Sequence, residues 1–364
     1  MKIKFGKLKL LYEDNKKQIN AAIQISLESG WYILGREVDA FERKFASYLN
    51  VKYVVGCSSG TDAIYLALKS LKISSGDEIL TVANTCVPTI SGIRLTGAIP
   101  RFIDINDFDY QMNCDLIERN ITKKTKAIMP VNLYGGATNY DMLKAISRKY
   151  GIPVIEDNAQ GVGSTYNNLQ LGTIGKIGCF SFYPSKNLGA FGDAGAIATN
   201  EESLYKNALM LRNYGQKVRY KHSIEGINSR LDELQAAILK VLLDKLEVRN
   251  ERRRSIAKKY SENIQNSKII LPKNNSKTIS NFHLYVIRTK YRNNLIKYLT
   301  GNGIETFIHY PIPVHKQRAF YKFEFAEVSL PVTEKVSKEI LSIPCYPEMN
   351  DDEVNYIIEK LNSF

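Results

Sequence analysis

A chain of 364 residues can bury a sizeable core and, by the usual size of domains, divides into two, while 44% apolar and 24% charged residues exclude a disordered or fibrous chain. An excess of 50 Lys and Arg over 37 Asp and Glu gives a formal charge of +13, which attracts polyanions and small phosphorylated ligands alike. No apolar run is long enough to span a bilayer, Met1 to Lys9 lacks a signal-peptide core, the cysteines (57, 86, 114, 179 and 345) show no paired spacing and the histidines (222, 283, 309 and 315) are dispersed, so a cytoplasmic protein with neither disulfides nor a metal site is expected.

Taken in order, the chain opens with two helical patterns, Asp14 to Glu28 and Glu37 to Leu49, joined by a stretch holding its only tryptophan, Trp31. From residue 53 to 157 strand-like and helix-like runs alternate: Tyr53 to Cys57, Thr61 to Leu71, Glu78 to Ala83, Val87 to Leu95, Ile99 to Asp104, Lys126 to Leu133, Met142 to Lys149 and Pro153 to Asp157. That rhythm predicts an α/β fold with a mostly parallel sheet sandwiched by helices. Ser59-Gly60-Thr61 starts the first of these helices after a strand, and the free amides and positive dipole of such a start suit a phosphate, although the same residues also serve as a plain cap. Asp157 ends a short apolar strand, where ligands of α/β sheets sit and where a carboxylate can face a protonated ring nitrogen; a helix cap is the alternative.

In Phe180-Ser181-Phe182-Tyr183 the two-residue period of a strand puts the phenylalanines on one face and Ser181 and Tyr183 on the other. Pro184 ends the pairing, and Lys186 follows, with Gly189, Gly192 and Gly195 allowing close backbone approach beyond it. An amine beside apolar and aromatic neighbours loses ammonium character and can attack a carbonyl, whereas a lone loop lysine is more often simply solvated. Next come a strand at Gly195 to Thr199, a helix at Glu202 to Asn213, a polar loop from Tyr214 to Gly226 and one long helix from Leu231 to about Ile264. The basic run Arg249 to Arg254 lies within that helix and reads as a solvated face, since no aromatic platform accompanies it. A second domain then holds a strand at Phe282 to Arg288, a helix at Arg292 to Thr300, the proline-held stretch His309-Tyr310-Pro-Ile-Pro-Val-His315 and a closing helix at Asp351 to Leu361.

With Ser59 to Ala63, Glu156 to Gln160, Ser181 to Gly189, Gly192 to Gly195 and Asn228 to Ala237 in this order, nearly the whole chain resembles the fold-type-I pyridoxal-phosphate enzymes, and within them the StrS and DegT type of sugar aminotransferase. The resemblance implies a large cofactor domain over residues 1–249 and a smaller C-terminal α+β domain over 250–364. It implies that Lys186 bonds to the aldehyde of pyridoxal 5′-phosphate, that Asp157 meets the pyridine nitrogen, and that Gln160 meets the phenolic oxygen. Ser59, Gly60, Thr61 and Ser181 would hold the phosphate, with Asn228 reaching the phosphate of a neighbouring subunit, so a homodimer is implied. Cys86 stands where the family places an aromatic or histidine against the ring, a weaker contact that shifts more of the ring packing to Ala159.

The 309–315 stretch resembles the subgroup that aminates carbon 3 of dTDP-linked keto-6-deoxyhexoses, which implies sugar contacts from Tyr183, His309, Tyr310 and His315 and L-glutamate as donor, in the synthesis of a cell-surface polysaccharide such as O-antigen or another glycan. Amination at carbon 4 is the alternative within the family. A dehydratase of the same fold carries histidine in place of the lysine, and Lys186 argues against it; a regulatory or nucleic-acid-binding protein with a vestigial cofactor site is the alternative from another class.

Overall fold

Short strands buried on both faces need helices on either side, and the chain supplies them by alternation. The computed structural model describes all 364 residues. After α1 (Leu8–Glu28) and α2 (Arg36–Leu49) come β1 (Tyr53–Cys57), α3 (Gly60–Ser70), β2 (Glu78–Val82), α4 (Val87–Leu95), β3 (Ile99–Ile103), β4 (Thr125–Ile128), α5 (Tyr140–Tyr150), β5 (Ile155–Asp157), β6 (Ile177–Ser181), β7 (Gly195–Thr199) and α6 (Glu202–Leu211). Strand β2 pairs in parallel with β3 and β4, and parallel bridges from Ile128 to Val154 and from Val131 to Asp157 carry the sheet on to β5. Beyond β5 lie β6, β7 and β1, so the order is β3-β2-β4-β5-β6-β7-β1 and only β7 runs against the rest. The expected α/β architecture with a mostly parallel sheet is the one found.

Alternation along the strands sends neighbouring side chains to different cores. Val55, Cys179 and Ile197 pack with α3 and α4 on one face, while Val54, Phe180, Ala196 and Ala198 pack with α1, α2 and α7 (Glu233–Leu243) on the other. Phe180 and Phe182 both meet Phe45, at ring-centroid distances of 5.1 and 5.3 Å, as their shared face requires. Burying a ring of this size stabilises the fold by about 2–3 kcal/mol. Opposite them, Ser181 and Tyr183 are left to face the site.

The single helix expected from Leu231 to about Ile264 is in fact two, α7 and α8 (Leu246–Asn263), parted by a turn at Asp244–Lys245. No proline or glycine makes this break. The apolar residues of α7 join the core over the sheet, whereas Ile256, Ala257 and Tyr260 of α8 join a separate cluster around β8 (Tyr285–Arg288) and β9 (Ile340–Ile343), so the turn re-aims the chain from one core to the other. Strands β8 and β9 form an antiparallel pair flanked by α8, α9 (Arg292–Gly301) and α11 (Asp351–Asn362), while α10 (Pro331–Glu339) leads into β9. The polar stretch 214–226 carries a small hairpin, Gln216–Val218 against Lys221–His222. Residues ahead of α1 lie on the second cluster: Ile3 pairs with Ile304, and the Phe5 amide donates to the Glu305 carboxylate at 2.7 Å. No helix is long and apolar enough to cross a membrane.

Candidate active site

The carboxyl ends of β5 and β6 and the start of α3 open into one cavity of about 790 Å³, within the range of small-molecule sites. Adjacent acids on β5 take opposite directions. Glu156 turns inward, fully buried, and accepts hydrogen bonds from the amides of Gly172, Ile174 and Gly175, each at 2.6 Å, and from the Tyr140 hydroxyl at 2.8 Å. Asp157 turns to the cavity, where its Oδ2 accepts from the Thr89 hydroxyl at 2.7 Å and its Oδ1 from the Ala159 amide at 3.2 Å. Thr89 is in turn 2.6 Å from the Thr85 hydroxyl, so two buried threonines set the plane of the carboxylate. Burial pushes Asp157 above the ordinary carboxylate range, opposed by these bonds and by the positive charge of Lys186. The two threonines escaped the sequence reading; their signal was a pair of hydroxyl residues four apart at the start of α4, around Cys86.

Lys186 lies in the connection from β6 to β7, its amide bonded to the Tyr183 carbonyl at 2.8 Å. This loop is held from outside: the Asn187 side chain donates to Asn250 Oδ1 at 2.7 Å, and Gln235 Oε1 accepts from the Phe191 amide at 2.8 Å. Partly buried in the cavity wall, the ammonium of Lys186 is pushed below its usual range by desolvation, against the pull of Cys86 and Asp157. A less basic amine is the more available nucleophile.

Across the cavity, α3 begins at Ser59, whose Oγ accepts from the Asp62 amide at 3.1 Å, while the amides of Gly60 and Thr61 have no partner in the chain. Space here is reserved. A Cβ on Gly60 would lie 2.7 Å from Ser181 Cβ, and one on Gly195 would lie 2.3 Å from the Ser59 carbonyl oxygen. Free amides at a helix start, two hydroxyls and a cradle without side-chain bulk fit a phosphate. With an amine and a buried carboxylate in the same cavity, the donor set fits a phosphorylated pyridine aldehyde.

Of the other residues singled out, Cys86, Gln160, Tyr183, His309 and Tyr310 line the cavity. Gln160 Oε1 accepts from the Tyr134 amide at 2.7 Å, and its Nε2 donates to the Tyr310 hydroxyl at 3.2 Å, which fixes the amide. Burial lowers His309 to about 4, so its ring is neutral at neutral pH; Nδ1 is 2.9 Å from the Ser342 hydroxyl. One expectation is not met by this geometry. His315 is fully buried away from the cavity, with Nε2 at 3.1 Å from Glu334 and the ring against Phe102, because the Val314 amide bonds to the Ala83 carbonyl at 3.0 Å and turns the next side chain inward. Asn228 is exposed and does not line the cavity of its own chain, although Ser229 beside it donates to Asp62 at 2.7 Å. The basic run is not the solvated face expected throughout: α8 turns Arg249 and Arg253 to the cavity, Arg253 only 8% exposed, and Phe5, Lys7 and His283, which the sequence reading passed over, line it too.

A profile of the DegT/DnrJ/EryC1/StrS aminotransferase family matches residues 13–362. The chain is 43% identical over 349 residues to the dTDP-3-amino-3,6-dideoxy-alpha-D-galactopyranose transaminase of Aneurinibacillus thermoaerophilus, covering 96% of each protein. Among solved structures it is similar to DesV of S. venezuelae in complex with a ketimine intermediate, with a TM-score of 0.97 and 37% identity over 100% of this chain and 98% of that one. It is also similar to NtdA of Bacillus subtilis with bound cofactor PMP, with a TM-score of 0.92 and 32% identity over 99% of this chain and 84% of that one.

Proposed function

Since the chain belongs to the DegT/DnrJ/EryC1/StrS aminotransferase family, we propose that it transfers an amino group from L-glutamate to carbon 3 of a dTDP-linked keto-6-deoxyhexose. The observation that carries this reading is the meeting of Lys186, Asp157 and the unpartnered amides of Gly60 and Thr61 in one cavity. Pyridoxal 5′-phosphate is the cofactor, and when bound it supplies the electron-withdrawing ring that lets a C–H bond next to nitrogen break. Ser59, Gly60, Thr61 and Ser181 would hold its phosphate, Gln160 would meet its phenolic oxygen, and Cys86 and Ala159 would line its ring. Asp157, whose ionised form the Thr89 hydroxyl and the Ala159 amide favour, would neutralise the ring nitrogen; an opposite charge about 4 Å away is worth roughly 4 kcal/mol at an effective dielectric near 20. Lys186 would hold the cofactor's aldehyde, and its Nζ would carry the proton that the transfer moves. Tyr183, neutral His309 and Tyr310 contact the sugar.

Carbon 3 is favoured by the likeness to the Aneurinibacillus enzyme. A homodimer is part of the proposal, supported by the large exposed side chains of Trp31 and Tyr220 (64 and 78% exposed) and by Asn228 lying free to reach a second copy. So is a division of the chain at residues 249 and 250, which falls within α8 between the two apolar clusters, as are work in the cytoplasm and a product destined for a cell-surface glycan. The test is to supply purified, cofactor-loaded protein with L-glutamate and either the 3-keto or the 4-keto dTDP-6-deoxyhexose, reading product mass and regiochemistry. Amination of the 4-keto sugar alone overturns the carbon-3 reading, and amination of neither overturns the sugar substrate.

A further inference from the structure

Arg253 is a buried cation that the reading above leaves without a task. It sits on α8 with only 8% of its surface exposed and lines the same cavity as Lys186. Its Nη1 donates to the carbonyls of His283, at 3.4 Å, and Cys345. Nε and Nη2, the edge that fits two oxygens side by side, have no partner in the chain. The other charges at this end of the cavity are engaged: Arg249, one turn earlier, with Glu348 at 2.7 Å, Lys7 with Glu353 at 2.6 Å, and Glu305 with the Phe5 amide at 2.7 Å. A buried guanidinium without a counter-ion is expensive, and a free Nε–Nη2 edge on a cavity wall is built for an anion with paired oxygens, a carboxylate or a phosphate.

The neighbourhood decides between those two. The carbonyl of His283 accepts from Arg253, and its Nδ1 lies 3.0 Å from Oδ1 of Asn187, the residue after Lys186. Burial and the charges of both Lys186 and Arg253 hold the His283 ring neutral. The guanidinium is therefore linked through His283 to Asn187, the residue next to the reactive lysine. In an amino acid the α-carboxylate is attached to the very carbon that loses its proton, whereas the diphosphate of a nucleotide sugar is several bonds from carbon 3. Resting on the aminotransferase reading, we propose that the free edge of Arg253 binds the α-carboxylate of the amino donor.

The experiment follows the cofactor absorbance of the loaded enzyme as L-glutamate is added without sugar, alongside calorimetric binding of dTDP. Replacing Arg253→Lys keeps the charge and loses the fork; the half-saturating glutamate concentration rises about tenfold or more, the limiting rate stays within about threefold, and dTDP binding is unchanged. Should Arg253→Lys fail to fold, as judged by its melting temperature, Glu348→Gln gives an independent reading: removing the nearest carboxylate lowers the half-saturating glutamate several-fold and leaves dTDP binding as it was. A folded Arg253→Lys enzyme that responds to glutamate at wild-type concentrations overturns the assignment, as does loss of dTDP binding in place of glutamate response, or a Glu348→Gln enzyme with an unmoved glutamate response. A wild-type enzyme whose absorbance responds to no amino acid fails the aminotransferase reading and takes this assignment with it.

Discussion

Replacing Thr89→Val removes one hydroxyl and keeps the shape of a side chain that is 1% exposed. The hydroxyl donates to Asp157 Oδ2 at 2.7 Å and is itself 2.6 Å from Thr85, so the substitution strips the carboxylate of one of its two hydrogen bonds within the chain. A bond to a charged acceptor is worth about 1.5–3 kcal/mol, which stabilises only the ionised form of Asp157. Burial already raises this group above its ordinary range, and the lost bond raises it further. Protonated Asp157 cannot balance a charged ring nitrogen. The acid limb of the glutamate half-reaction, followed by cofactor absorbance from pH 5 to 9, therefore moves to higher pH by about 1–2 units, with cofactor affinity at pH 7 down about ten- to hundredfold. A variant with a lower melting temperature but an unmoved acid limb and normal cofactor affinity would refute this, reducing Thr89 to a packing residue.

Other outcomes follow from the same geometry. Lys186→Gln lowers turnover by about 10²–10⁴ and abolishes attachment of cofactor by borohydride; wild-type protein yields the modified peptide at Lys186, and labelling of a different lysine counts against its role. Glu233, 1% exposed, accepts from the amides of Gly35 and Glu37 at 2.8 Å and Val38 at 3.0 Å at the start of α2, so Glu233→Ala costs about 3 kcal/mol in urea unfolding, and an unchanged midpoint would contradict that capping role. His309 has a pKa of about 4 in the fold against an ordinary 6.5, so the unfolded chain takes up the proton first and stability falls as pH drops between those values. His309→Gln recovers about 1–3 kcal/mol of that loss near pH 4, measured by denaturation at pH 7 and pH 4.

Much of the fold was legible because its signals are local. Period-two alternation in residues 180–183 assigned the phenylalanines to a core and Ser181 and Tyr183 to the opposite face, and the βα rhythm from 53 to 157 implied the parallel sheet. The α7–α8 break was not legible, since no residue there resists helix and the turn arises from two cores competing for one apolar stripe. Strand β9 was missed because Ile340-Leu-Ser-Ile is buried throughout and too short to alternate visibly. The site divides along the same line. Lys186, Asp157 and Gly60 could be picked out by their places at element ends, whereas Thr89, His283 and Arg253 reach the cavity only through long-range packing. His315 shows the limit of arguing from spacing: six residues from His309, it is turned inward by one backbone bond at Val314.

The turn at Asp244–Lys245 has a mechanical consequence. Gln235, ahead of it, grips the lysine loop at Phe191, and Asn250, behind it, grips the same loop at Asn187. Swinging α8 relative to α7 thus pulls on two tethers fastened to either end of a short span of backbone, with Lys186 at its edge. The two helices thus fasten both ends of that span from outside the cavity, and altering the turn between them would retune the aim of the amine without touching a single residue of the cavity.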